Sequence, residues 1–254
     1  MIAIGQQSHA WLSGQLARAW GNERFPAPAP RSDVCLGAEQ HDVGWAEFDL
    51  RPRFNPDTGL PRTFLEGSIE QHLAIWGDAP DRLMSASECA ALVVSLHGSF
   101  LSGLRLGAVG GKEPLLEDHI DQEHRRQARL RARLGLSEEQ ASTIQDQMRV
   151  WDGLSLALCH RWSPFTAQDV PESDGKGSLD LRSADDGDSF VIDPWPFSSS
   201  EVEVRCEGRR LALSYESEEA LHADFESAPP LALAFKLLPA REAAGSRPAA
   251  VSRR

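Results

Sequence analysis

Residues 38–45, AEQHDVGW, place a histidine beside an aspartate at the end of a segment with helical spacing. Val34 and Ala38 recur at an interval that puts them on one helix face, and His41 and Asp42 continue that stripe. A helix normally buries apolar side chains along such a stripe, whereas an adjacent imidazole and carboxylate need partners there. The doublet therefore predicts a polar centre inside a helical core.

Other ligand-type side chains fall on the inward faces of further predicted helices. His9, His72 and His97 each lie on the apolar stripe of a different segment with helical periodicity, and Asp152 lies beside the stripe of the last one. One histidine on an apolar face is ordinary, but the joint pattern is not. The candidate metal ligands are His9, His41, Asp42, His72, His97 and Asp152.

This set of donors predicts transition-metal ions. A buried, unpaired carboxylate costs several kcal/mol, so two carboxylates among four imidazoles need a strong common counter-charge. Imidazole nitrogen with carboxylate oxygen suits iron, manganese, zinc or nickel better than magnesium or calcium. Six ligands would fill every coordination position of a single ion, so we expect two ions. Iron is the first choice of metal, and Asp42 is expected to be the carboxylate that bridges the two ions.

The periodicity along the chain predicts a mainly α fold, α+β overall. A helical bundle is expected over residues 1–164 and a small antiparallel β subdomain over 165–239, where SFVID, EVEVRC and RRLALSYE have β character. The stretch SDGKGSLDLRSADDGD looks like a loop. Residues 240–254 form a basic tail of low hydrophobicity that we expect to be disordered.

Charge and composition exclude several classes of partner. The 254 residues carry a formal net charge of −12, which disfavours binding to a nucleic acid polymer or an anionic bilayer. No stretch approaches the roughly 20 apolar residues of a membrane span, and the N-terminus has no leader-like pattern. We expect a cytoplasmic protein with a small anionic substrate; its oligomeric state stays open.

Three residues are candidates for contacting that substrate. Lys112, in the glycine-rich loop GAVGGK, and Arg62 are candidate anion-binding cations, while Trp45 is a candidate pocket wall. GAVGGK lacks the spacing of a P-loop and is not a nucleotide motif. The remaining histidines, His119, His124, His160 and His222, lie in polar or surface-like settings and are not expected to bind metal.

The order of the six candidate ligands resembles the dinuclear branch of the HD-domain superfamily over residues 8–162. The segments HAWLSGQLARAWG, HDVGW, TGLPRTF, HLAIW, SLHGSF and WDGLSLALC also resemble the bacterial family called domain of unknown function 3891. The superfamily resemblance implies an HD-type helical bundle in which His9, His41, Asp42 and Asp152 hold one ion. A second ion would be held by His72 and His97, and Asp42 would be the catalytic ligand that bridges both ions and helps to activate water.

The resemblance leaves the chemistry open. The commonest activity of HD-domain relatives implies a phosphohydrolase or phosphodiesterase acting on a small phosphorylated or nucleotide substrate. The same six ligands also resemble those of mixed-valent di-iron oxygenases, and a non-catalytic, metal-stabilised binding protein is a third possibility. Many HD enzymes have a lysine after the glycine that follows the doublet, whereas this chain has Trp45 after Gly44. The usual anion-binding cation is therefore missing from that position.

Overall fold

The computed structural model describes residues 1–184 and 187–240, so the tail expected from residue 240 falls, from 241 onward, outside the described residues. Eight α-helices follow one another along the described chain: α1 Gln6–Ala19, α2 Arg31–Glu39, α3 Ala46–Leu50, α4 Ile69–Leu83, α5 Glu88–Ala108, α6 Pro114–Leu134, α7 Glu138–His160 and α8 Glu218–Ser227. Two short 3-10 helices, Val43–Trp45 and Phe64–Glu66, lie between α2 and α4.

Local sequence explains where the core helices begin. Ser68 and Ser87 precede α4 and α5, and each hydroxyl accepts a hydrogen bond from a backbone N–H of the first turn. Ser137 and Gln140 form a capping box at the start of α7. Gly135, at φ 67°, ends α6 in the left-handed conformation that glycine adopts readily.

The expected fold class is wrong, because the β part is neither small nor purely antiparallel. Six strands form one curled mixed sheet in the order β1-β7-β8-β6-β5-β4, and the described residues are about 52% helical. All neighbours in the sheet pair antiparallel except β6 and β8, which are parallel. The strands are β1 Ile2–Ala3, β4 Phe165–Glu172, β5 Gly175–Ser183, β6 Ser189–Asp193, β7 Val202–Arg210 and β8 Pro230–Pro239. An all-α description is therefore also wrong.

Two physical features explain why the sequence pattern does not predict the size and topology of this sheet. The stretch rich in glycine, serine and aspartate that looks like a loop contains β5, whose apolar Leu179 and Leu181 alternate with polar residues and are both fully buried. β8 reaches its place between β7 and β6 only after the crossover through α8, and such a pairing depends on contacts far apart in sequence. A second, two-stranded sheet joins β2 Phe54–Asn55 and β3 Leu60–Pro61.

The helices and the large sheet share one hydrophobic core. A single cluster of buried side chains includes Leu92 from α5, Trp151 from α7 and Phe235 from β8. Trp20, after α1, makes edge-to-face ring contacts with both Trp151 and Phe197, the last of these in the loop before β7. The sheet therefore packs directly against the helices that carry the predicted ligands.

Helix α1 also covers part of β7. The Ser8 hydroxyl donates to the carbonyl of Glu207 and accepts from its N–H, both at 2.7 Å. Gln15 makes the same pair of contacts with the backbone of Arg205. Backbone groups on an edge of β7 are satisfied in this way by helix side chains, which fixes α1 against the sheet.

Helix α5 is the most apolar of the long helices of the described chain. Among the described residues it alone is long and apolar enough to cross a membrane by length and composition, and 67% of its most apolar window is buried. It packs against α2, α4, α6 and α7. α5 is therefore buried in the way expected of the central core helix of a folded domain.

We expect Gly37→Ala to destabilise the fold, because α2 and α5 approach closely at this glycine. A Cβ there would lie 2.5 Å from Cβ of Val93, so the two helices would have to separate. Overpacking of this kind costs about 1–3 kcal/mol, measurable as a lower free energy of unfolding in urea. Gly103→Ala is the matched control, since a Cβ at this exposed position in α5 meets nothing within 4 Å. It should leave stability unchanged or raise it, and equal losses in both variants would contradict the packing account.

Candidate metal centre

His9 is held in the first turns of α1 by contacts at the start of that helix. The Asp49 carboxylate accepts the backbone N–H of Gln7 at 2.8 Å, which satisfies one of the free donors of the helix terminus. The imidazole of His9 is 3% exposed and faces α7. Its Nδ1 lies 2.6 Å from Oγ of Ser155.

The His41–Asp42 doublet lies in the turn after α2, and not within the helix as the periodicity indicates. The helix ends at Glu39, and the 3-10 helix Val43–Trp45 follows the doublet. Gly44 permits this turn to lie against α4, because a Cβ there would stand 2.3 Å from the carbonyl oxygen of Ile75. Both side chains of the doublet are buried.

Two longer helices bring the remaining donors. His97 lies in the middle of α5 and Asp152 in α7. The described residues contain two groups whose ligand atoms all lie within 4.8 Å of one another, and His41 belongs to both. The groups are His9, His41, Asp42 and His41, His97, Asp152.

Hydrogen bonds fix which nitrogen of His9 and His41 is free. His41 Nδ1 lies 2.8 Å from the carbonyl oxygen of Ala38, which only accepts, so Nδ1 carries the proton. Ser155 donates its own proton to the carbonyl of Asp152 at 2.8 Å, so its oxygen accepts from His9 Nδ1. In the neutral form of each ring, Nε2 is therefore the lone-pair nitrogen, as metal-binding histidines require.

The two imidazole Nε2 atoms lie at ligand-like distances from each other and from one oxygen of each carboxylate, although Asp42 and Asp152 belong to different donor groups. His9 Nε2 lies 3.2 Å from His41 Nε2, 3.1 Å from a carboxylate oxygen of Asp42 and 3.4 Å from one of Asp152. His41 Nε2 lies 3.5 Å and 3.4 Å from the same two oxygens. Tetrahedral ligands with bonds of about 2.1 Å stand about 3.4 Å apart. The residues present therefore fit a zinc-like or iron-like ion.

The electrostatics of this cluster show the need for a positive charge. Burial opposes the charged form of His41, but Asp42 and Asp152 outweigh it and raise the pKa of His41 to about 9. Burial likewise opposes ionisation of Asp42 and Asp152, yet the neighbouring imidazoles hold the pKa of both carboxyls below its usual range. A proton on His41 thus supplies the counter-charge, and a metal ion would displace it.

His97 remains uncharged in this setting. Burial, joined by the charge on His41, lowers the pKa of His97 to about 4. Its ring centroid lies 4.6 Å from that of His41, and its Nδ1 has no hydrogen-bond partner in the described chain. A neutral imidazole with an unused nitrogen is suited to act as a further ligand.

The sixth expected ligand, His72, lies apart from the other five. It belongs to neither group of donors in the described chain. Its Nδ1 accepts a hydrogen bond from Arg105 Nη1 at 2.7 Å, and its ring lies between Trp45 and Trp76, with centroids 5.6 Å and 5.0 Å away. Five of the six candidate ligands are therefore brought together.

A cavity of about 770 Å³ is lined by Ser8 and Trp45, which are close in sequence to His9 and to the His41–Asp42 doublet, but none of the five clustered donors lines it. Trp45 and Arg62, both expected to contact substrate, line it, whereas Lys112 is exposed in the loop after α5 and is not among the lining residues. Arg53 lines the cavity too. No carboxylate of the described residues lies within 4 Å of the guanidinium groups of Arg53 and Arg62.

Sequence patterns missed several residues of this region. Ser155 and Arg105 give no sign of their contacts with imidazoles, since serine and arginine are ordinary at helix positions. His160, expected on the surface, is exposed but lines the cavity and stacks on Trp162, with ring centroids 4.7 Å apart. His119, also expected in a surface-like setting, is buried.

We expect Ser155→Ala to weaken metal binding, because it removes the acceptor that fixes the tautomer of His9. Loss of such a partner typically costs 10–100-fold in metal affinity, measurable by competition with a chromophoric chelator. Ser102→Ala is the matched control, since Ser102 is equally buried in a helix and its hydroxyl donates only to the carbonyl of Gly98. Equal affinities for Ser155→Ala and the control would contradict this role.

Comparison with known proteins identifies the family of the chain but no individual matching protein. No curated protein and no solved structure matches the chain. One family model, described as protein of unknown function (DUF3891), matches residues 1–212, a range that contains all five clustered donors and β7. The chain belongs to this family of proteins of unknown function, DUF3891.

Proposed function

We propose that this chain is a metal-dependent hydrolase of the HD type, acting on a small phosphorylated or nucleotide substrate. The observation that carries the proposal is the meeting of two imidazole Nε2 atoms, 3.2 Å apart, with two carboxylates in the protein interior. The order of these donors along the chain, a histidine, a His–Asp doublet, a further histidine and a distant aspartate, is that of HD domains. HD membership is part of the proposal.

The protein part of the chemistry is to hold the donors and to limit water. Asp42 is 5% exposed, while the side chain of Asp152 is 16% exposed and is the more open of the two carboxylates. A bound transition metal would supply an acidic water and a Lewis acid for a phosphoryl oxygen. The fixed tautomers of His9 and His41 keep their Nε2 atoms available for that ion without rearrangement.

The cavity supports a small anionic substrate. Arg53 and Arg62 are among the lining residues, together with the apolar Trp45 and Phe64, although Asp49 and Glu207 also line the cavity. Glu66, which also lines the cavity, is engaged through hydrogen bonds to Thr63 and Asn55. The two arginines are therefore the groups that we assign to the anion, in place of the lysine that is missing after Gly44.

The position of His72 favours hydrolysis over the hypothesis of a di-iron oxygenase. The oxygenase reading depends on all six ligands and two ions, whereas His72 is hydrogen bonded to Arg105 outside both donor groups. A hydrolytic centre needs fewer ligands and no redox partner.

We place the protein in the cytoplasm as part of the same proposal.

The proposal predicts metal-dependent hydrolysis. Protein loaded separately with manganese, ferrous iron, nickel or zinc should release phosphate or cleave a phosphodiester in a panel of phosphomonoesters, nucleotides and cyclic dinucleotides. Asp42→Asn keeps the size of the side chain but removes its charge, and should lower kcat/KM more than about 100-fold.

His124→Ala provides the control, because His124 is exposed on α6 and takes no part in the centre. It should retain wild-type activity. Absence of turnover with every metal across the whole panel, in protein that has bound the metal, would overturn the proposed function. Oxygen consumption by iron-loaded protein would replace it with the oxygenase.

A further inference from the structure

Arg105 contacts His72 in a way that sets it apart from the other histidines of the centre. The guanidinium donates from Nη1 to His72 Nδ1 at 2.7 Å and from Nη2 to the carbonyl of Gly67 at 2.9 Å. A guanidinium only donates hydrogen bonds, so Nδ1 of His72 must be an acceptor. The proton of the neutral ring is then on Nε2.

This assignment is the reverse of that at His9 and His41. In their neutral forms, those two rings donate from Nδ1 to oxygen atoms and have a lone pair on Nε2. His72 has its Nδ1 lone pair engaged by Arg105 and a proton on Nε2, so neither nitrogen is free to bind a cation. Burial and the charge of Arg105 both lower the pKa of His72, in keeping with a neutral ring.

The surroundings of His72 hold the ring in this orientation. The residue is 3% exposed and lies against Trp45 and Trp76. A Cβ on Gly67 would come within 2.4 Å of its buried Nε2. A half-turn of the ring would place a C–H opposite the guanidinium and lose the hydrogen bond to Arg105.

We propose that Arg105 is a positioning residue that keeps His72 out of metal coordination, so that the centre takes one ion per chain. That ion would be held by donors from His9, His41, Asp42 and Asp152, with His97 as a further ligand. Arg105 also ties His72 and Gly67 to α5, and Gly67 lines the cavity. This inference rests on the proposed metal centre, but it makes no use of the hydrolytic activity.

The test is a measurement of imidazole tautomers in the intact protein. In ¹⁵N-histidine-labelled, zinc-loaded protein, long-range ¹H–¹⁵N correlation spectra distinguish Nδ1–H from Nε2–H rings and reveal zinc-bound nitrogens. We expect His72 as an Nε2–H ring without bound zinc, and His9 and His41 as Nδ1–H rings with zinc on Nε2. Arg105→Met, which keeps the apolar stem, should remove the tautomer preference of His72 while His9 and His41 stay unchanged.

Metal content supplies the second readout. Elemental analysis should give one zinc per wild-type chain. His72→Gln should retain that ion with affinity within about threefold, whereas His97→Gln, the matched change at a donor, should weaken it more than about tenfold. Melting temperatures identify a variant that fails to fold, and the tautomer measurement on the wild-type protein is independent of any variant.

Two results would overturn the inference. One is two zinc ions per chain, with loss of one in His72→Gln; the other is an Nδ1–H tautomer of His72 with zinc on Nε2. Neither outcome depends on substrate turnover. A protein that hydrolyses nothing in the substrate panel but binds one zinc would therefore contradict the proposed function and leave this inference intact.

Discussion

Two imidazole lone pairs that face each other beside two buried carboxylates are the constraint on which the helical layer depends. His9 and His41 present their Nε2 atoms 3.2 Å apart, and Asp42 and Asp152 lie within 3.5 Å of them. Without a cation this arrangement would be strongly unfavourable in an interior of low dielectric. A proton on His41, whose pKa is raised to about 9, supplies one positive charge to this cluster. A metal ion would supply a larger positive charge.

The large sheet contributes to this centre through α1. Strand β7 uses the side chains of Ser8 and Gln15 to satisfy its backbone groups, and Ser8 is the residue directly before His9. Trp20 at the other end of α1 packs against Trp151 of α7, one residue before Asp152. The ends of the two helices that carry His9 and Asp152 are thus positioned by contacts with the sheet and with each other.

The sequence alone predicts which polar side chains come together in the interior better than it predicts the fold, and their binding of metal stays a prediction. Five of six candidate donors meet because helical periodicity reports which side chains face inward, and burial makes polar residues on that face conspicuous. The sheet is mispredicted because the order of its strands depends on distant pairing, as for β8 between β7 and β6. His72 also has the inward periodicity of a ligand, but its partner Arg105 is distant in sequence, so no local pattern reveals that its Nδ1 is engaged.

The most direct test of the metal centre is an anomalous difference map from crystals soaked in manganese or zinc. The account predicts a strong peak about 2.0–2.2 Å from Nε2 of His9 and His41 and from carboxylate oxygens of Asp42 and Asp152. A map without density at this position, in crystals whose soaking solution holds millimolar metal and whose four side chains keep the spacing described above, would contradict it.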